Sequence, residues 1–105
     1  MSFHVTTHPQ AEEDIRQAMR WMAQYSPEKA TLWYFDILQA IDSLQNFPAR
    51  CPFAPERKTF KMDIRHLLFG KYRILFVIED ETVYVLRVRH QAQQPLQPDE
   101  EESTD

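Results

Sequence analysis

A chain of 105 residues is a single domain's worth, able to bury a little over half of its unfolded surface in one core. Its 43% hydrophobic and 12% aromatic content is globular, no apolar run nears the roughly 20 residues that span a bilayer, and no secretory signal opens the chain at Met1–Val5. The net charge of −4 excludes a uniformly basic nucleic-acid binder, but the charge is uneven: residues 1–49 carry −3, residues 50–90 carry +4 and residues 91–105 carry −5. The one cysteine, Cys51, cannot close an internal disulfide, so a cytoplasmic location is expected.

Phe3-His4-Val5-Thr6-Thr7 alternates apolar and polar residues and predicts a short strand with Phe3 and Val5 buried. A helix follows from Thr7 or His8, with Pro9 in its first turn and a Thr7/Gln10 capping box. Ala11, Ile15, Ala18, Met22 and Tyr25 form its apolar stripe, and Trp21 lies off it. Ser26-Pro27 starts a second helix, expected from Pro27 to Asn46, with Ala30, Trp33, Ile37, Ile41 and Leu44 inward. So short a connection makes the two helices antiparallel neighbours.

The segment 47–55 contains three prolines and is read as an irregular link. Beyond Arg57–Lys61, a strand is expected from Met62 to Leu68, then a reversal at the chain's only glycine, Gly70, and a second strand from Tyr72 to Glu79. The last strand, Thr82 to His90, places Tyr84, Leu86, Val88 and His90 on one face and Val83, Val85, Arg87 and Arg89 on the other. The expected fold is therefore α+β: an N-terminal strand, an antiparallel helical hairpin and a three-stranded antiparallel meander, with the helices packed on one sheet face. Residues 1–90 form the domain, and residues 91–105, with almost nothing to bury, are expected to be a disordered acidic tail.

Several chemistries lack their residues. One Cys and four scattered His make no zinc pattern, one Gly makes no phosphate loop, and no serine sits in a nucleophile motif, so neither a metal nor a cofactor is expected. What remains is cationic. Arg73 lies opposite in parity to Tyr72, Ile74, Phe76 and Ile78, so it is expected on the open sheet face together with Arg87 and Arg89. With Arg65, Lys61 and Lys71 these make a candidate surface for a phosphate or a target protein, and a histidine, His66 or His90, could add proton transfer. Ordinary salt bridges to Glu79, Asp63 or the tail are the alternative reading of the same arginines.

The order of elements, together with Ala11…Asp14-Ile15, Leu44-x-x-Phe47-Pro48-x-x-Cys51-Pro52, Ile64-Arg65-x-Leu67, Gly70-Lys71-Tyr72-Arg73-Ile74-Leu75-Phe76 and Val83-x-Val85-Leu86-x-Val88-Arg89-His90, resembles the RelE/ParE superfamily of type II toxin–antitoxin toxins over residues 3–90. Within it the pattern is closer to the ParE-like branch and its plasmid-stabilisation relatives. The resemblance implies a growth-inhibiting toxin held by a cognate antitoxin, as a hetero-oligomer with it or as a homodimer. ParE-like members poison DNA gyrase. RelE-like members cut mRNA on the ribosome without a metal, and a non-toxic relative acting as a binding protein is the third reading.

By position, Arg73 matches the arginine that contacts the scissile phosphate in the nucleases, and Arg65 the arginine that opens the preceding strand. If the chain is a nuclease, Arg73 and His90 are its candidate catalytic residues. One departure stands against that: Gln91, Gln93 and Gln94 follow the last strand where nucleases commonly place a basic or proton-transferring residue; two others are that His66 replaces a glutamate common in the ParE-like pattern and Cys51 a common glycine.

Overall fold

A computed structural model describes residues 2–98. The chain order is β1 (His4–Thr7), α1 (Pro9–Ala23), α2 (Pro27–Asp42), two short 3-10 turns (Ser43–Gln45 and Pro48–Arg50), α3 (Glu56–Phe60), β2 (Arg65–Phe69), β3 (Tyr72–Glu79) and β4 (Thr82–His90). The α+β fold expected from the sequence is observed, with one sheet of strand order β1-β4-β3-β2. The meander is antiparallel, and β1 lies parallel to β4 along Thr82–Val85.

Local chemistry sets the boundaries. The cap of α1 falls one residue later than the capping box predicts: His8 is extended, and its Nδ1 accepts from the Gln10 N–H at 3.0 Å ahead of Pro9. Ser26 caps α2 as expected, its Oγ accepting from Lys29 N at 3.2 Å. α2 ends at Asp42, and the rest of the predicted helix tightens into the 3-10 turn carrying Leu44. Ala11 and Ile15 of α1 and Ile37 and Ile41 of α2 pack on Ile74, Phe76, Val83, Val85 and Val88 of the sheet. Each fully buried side chain of this kind contributes about 1.5–3 kcal/mol, so this layer holds the hairpin to the sheet. Tyr25 ends the predicted stripe but lies beyond the last helical turn and is exposed.

Three features depart from the sequence reading, and each bears on the sheet's second face. The bulge at Leu75/Phe76 pairs Leu75 with Arg87 but Phe76 with Val85, so Leu86 is the extra residue. It breaks the simple alternation: Val83 and Val85 join Val88 in the helix-side core, while Arg87 and Arg89 stay on the other side. Next, residues 57–61 do not lead straight into a strand. Glu56–Phe60 form α3, stopped by Lys61 in the left-handed region (φ 54°), and β2 begins only at Arg65.

Finally, the second face is not open. Ala54, Ile64, Leu75 and Val77 form a second core there, with Phe60 and Leu86 against it, and Leu96 is buried at 5% exposure. Gln91–Pro98 thus returns to the sheet, whereas the acidic residues of the predicted tail, 99–105, lie outside the described residues. No helix of the described residues is long and apolar enough to cross a membrane.

Candidate functional site: the arginine face of the sheet

Arg73 and Arg89 share one sheet face, as parity predicts, and stand directly opposite one another on β3 and β4, but they are 7% and 5% exposed. Arg73 donates to both oxygens of Glu56, from Nη1 to Oε1 at 3.1 Å and from Nη2 to Oε2 at 2.8 Å, a bidentate pair across 17 residues of chain. Glu56 is wholly buried, and its Oε2 also accepts the Leu96 N–H at 2.8 Å. Burial pushes the Glu56 carboxyl up, but the hydrogen bonds from Arg73 and Leu96, with the Arg73 charge, outweigh it and hold the group at about 2. The pair is ionised at any physiological pH.

His66, on β2, completes the cluster, with its Nδ1 3.1 Å from Arg73 Nη1. A guanidinium only donates, so Nδ1 is the acceptor and the ring proton sits on Nε2. Burial first and the Arg73 charge second lower the His66 pKa, against a smaller opposing effect of Glu56, which keeps the ring neutral. Arg89 donates from Nη2 to the Gln94 carbonyl at 2.8 Å, which ties the segment after β4 down over the arginines.

Arg87 is held at the edge of β4, its Nε and Nη2 donating to Asp14 at 2.8 and 3.2 Å. The same carboxylate accepts the Val88 N–H at 2.9 Å, so a side chain of α1 takes the place of a strand where β1 stops at Val85. A cavity of about 460 Å³ lies between this corner and α3, lined by His8, Phe60, Ile64, Leu86, Arg87 and Leu96 among others. A hollow of about 260 Å³ on the far side of Arg87 is lined by Asp14, Tyr72, Arg89 and His90.

The other candidates are not gathered here. His90 pairs across the sheet with Tyr72, ring centroids 5.1 Å apart, on the face opposite Arg73, and its Nδ1 accepts the Ala92 N–H at 3.0 Å. Arg65 pairs with Phe76, also on the helix side, and donates from Nη1 to the carbonyls of Cys51 (2.6 Å) and Ala49 (3.2 Å). Lys71 is exposed in the β2–β3 turn, and Lys61 is exposed at the end of α3. Among the described residues no group of His, Cys, Asp and Glu could hold a metal ion.

Sequence reasoning missed Glu56 and Asp14, the carboxylates that hold Arg73 and Arg87, and Leu96, whose N–H donates to Glu56. Glu56 had one visible signal: it is the only acid in the stretch from Asn46 to Thr59.

The family model described as "ParE toxin of type II toxin-antitoxin system, parDE" matches residues 5–95. Among solved structures, the chromosomal ParDE toxin–antitoxin system of P. aeruginosa is similar at 17% identity over 85% of this chain and 96% of that one, with a TM-score of 0.67. The RelBE2 toxin–antitoxin complex of Mycobacterium tuberculosis is similar at 23% identity, over 86% and 99% of the two chains, with a TM-score of 0.56. The archaeal RelE–RelB complex of Pyrococcus horikoshii OT3 follows at 19% identity, over 90% and 100%, with a TM-score of 0.50. No curated protein matches the chain in sequence. With the family model spanning nearly all of the folded chain, the protein belongs to the ParE toxin family of type II toxin–antitoxin systems.

Proposed function

We propose that this toxin arrests growth in the cytoplasm by binding DNA gyrase, in the manner of the ParE-like branch, and does not cut RNA itself. One observation carries this reading: Arg73, the residue placed to hold a scissile phosphate, is sealed by Glu56, while His90 lies on the opposite face of the sheet. Metal-free RNA cleavage needs a base, an acid and cationic stabilisation converging on one phosphate. Here the cation is neutralised, His90 faces away from it, and His66, which does touch it, has its Nδ1 taken up by the Arg73 guanidinium.

The cognate antitoxin is the proposed partner, in a hetero-oligomer. The similar solved structures are toxin–antitoxin systems, and the helical hairpin exposes apolar side chains suited to a protein partner: Trp21 and Tyr25 in edge contact at 5.3 Å, and Leu32 and Phe35 on α2. Trp33, inward as expected, and Tyr34 pack half-buried against the core instead.

Expression without an antitoxin tests the target. Gyrase-dependent double-strand breaks and an SOS response, with transcripts intact, are expected. Intact DNA with translation stopped within minutes and transcripts cut at ribosomal A sites would overturn the reading.

A further inference from the structure

Between Arg50 and Lys71 the exposed cations lie on the proline-rich link, α3 and the β2–β3 turn, with half-buried Arg65 at the start of β2. Residues 50–71 contain six basic side chains, Arg50, Arg57, Lys58, Lys61, Arg65 and Lys71, against two acidic ones. Glu56 is buried and committed to Arg73, so Asp63, 2.9 Å from Arg57 Nε, is the only acid left to oppose them in this stretch.

Phe53 organises the centre of this patch. The Cζ atoms of Arg57 and Arg65 stand 4.0 and 4.2 Å from its ring centroid. Both guanidinium groups are thus within cation–π reach of the same ring. The link is itself fixed: Ala54 N donates to Ile64 O at 2.8 Å and His66 N to Pro52 O at 3.1 Å, which lays it along the start of β2. The two guanidinium groups are therefore ordered before any ligand arrives, which removes much of the entropy cost of holding one.

They also keep donors to offer. Among the described residues, Arg57 uses Nε on Asp63 and Arg65 uses Nη1 on two carbonyls, so each keeps N–H groups uncommitted. Lys58 and Lys61 are exposed on the adjoining helix and have no ion-pair partner among the described residues.

We infer that Arg57 and Arg65, stacked on Phe53, together with the exposed Lys58 and Lys61 of the adjoining α3 segment, form a binding surface for the phosphodiester backbone of a nucleic acid. The array suits a linear polyanion with repeating charge better than a small anion, because none of the four lines the cavities beside the arginine face. Contacts to phosphates carry no sequence information of their own, so binding is expected without sequence preference. This surface is separate from the choice of inhibited target and does not rest on it.

The test is fluorescence anisotropy of the full chain with a labelled 20-nucleotide single-stranded DNA, the same sequence as RNA, the 20-base-pair duplex, and a poly-glutamate peptide of equal charge. Four phosphate contacts predict a slope of log affinity against log salt of about −3, roughly a fiftyfold loss between 50 and 200 mM salt. The double variant K58E/K61N should bind more than tenfold more weakly at 50 mM and flatten the slope, with an unchanged thermal melt. Asn suits the left-handed backbone at position 61. K29Q, on α2, should change neither binding nor slope.

Binding of any of the three nucleic acids with this behaviour supports the inference, and their ranking names the source of the phosphates. No binding at 50 mM, a slope unchanged in K58E/K61N, or poly-glutamate bound as tightly as the nucleic acids would overturn it. The last result would make the patch a site for an acidic protein.

Discussion

Arg73 on the sheet and Arg57 on the link are the same side chain in opposite circumstances. Arg73 is buried against a bidentate carboxylate, with a neutral histidine and the segment after β4 closing it in. Arg57 meets one carboxylate oxygen at the surface, its side chain half exposed, and otherwise lies over Phe53. Residue type alone did not separate them. Burial and the partner did, and they make Arg73 a part of the architecture and Arg57 a group that can meet a ligand.

The largest way to break this contrast is to remove Glu56. Glu56→Ala leaves Arg73 charged and buried without its partner, which is expected to cost about 3–5 kcal/mol in urea denaturation. The double change Glu56→Gln with Arg73→Met should recover most of that loss, because the amide oxygen of the introduced glutamine still accepts the Leu96 N–H and the introduced methionine fills the arginine stem's space.

Acid probes the same pair without mutation. The folded pKa of Glu56 is depressed, so its contribution is complete above the unfolded value near 4.5 and is lost as pH falls toward about 2. A loss of order 3 kcal/mol is expected across that window, and Glu56→Gln should flatten it in a pH series of denaturant midpoints. His66 adds a smaller effect of the same sign at higher pH. Its folded pKa is lowered, so stability falls as pH drops below its unfolded value near 6.5.

Next in size is Asp14→Ala, which removes the carboxylate that two Arg87 nitrogens donate to and leaves the Val88 N–H without its acceptor. About 2 kcal/mol is expected, read by the same denaturation. At the other end, Arg57→Gln should change stability by less than about 0.5 kcal/mol, since its ion pair is exposed and screened. A comparable loss in both arginine variants would dissolve the comparison.

The parts of the fold legible in the sequence were those with local signals. Ser26-Pro27 marks a cap, Gly70 a reversal, and the apolar run from Tyr72 to Glu79 a strand whose limits match. α3 was not legible, because five residues after Pro55 carry no helical period and the basic run reads as an approach to a strand. The bulge at Leu86 was hidden for a related reason: one extra residue leaves the alternation intact in the sequence and shifts it only in space.

The site was half legible. Parity placed Arg73 and Arg89 on one face, as observed. It could not show that the face is closed, since Glu56 and Leu96 come from segments 17 residues before and 23 after Arg73, and no pattern links them. A lone acid in a basic stretch and a lone leucine in a polar one are the only traces.

The central claim, that Arg73 holds the fold together and does not act on a phosphate, is tested most directly by growth arrest with the Glu56→Gln, Arg73→Met variant. Expressed without an antitoxin to the level of the unaltered chain, and folded by circular dichroism, it should arrest growth as strongly. A folded variant that has lost arrest would contradict the account and return Arg73 to the functional site.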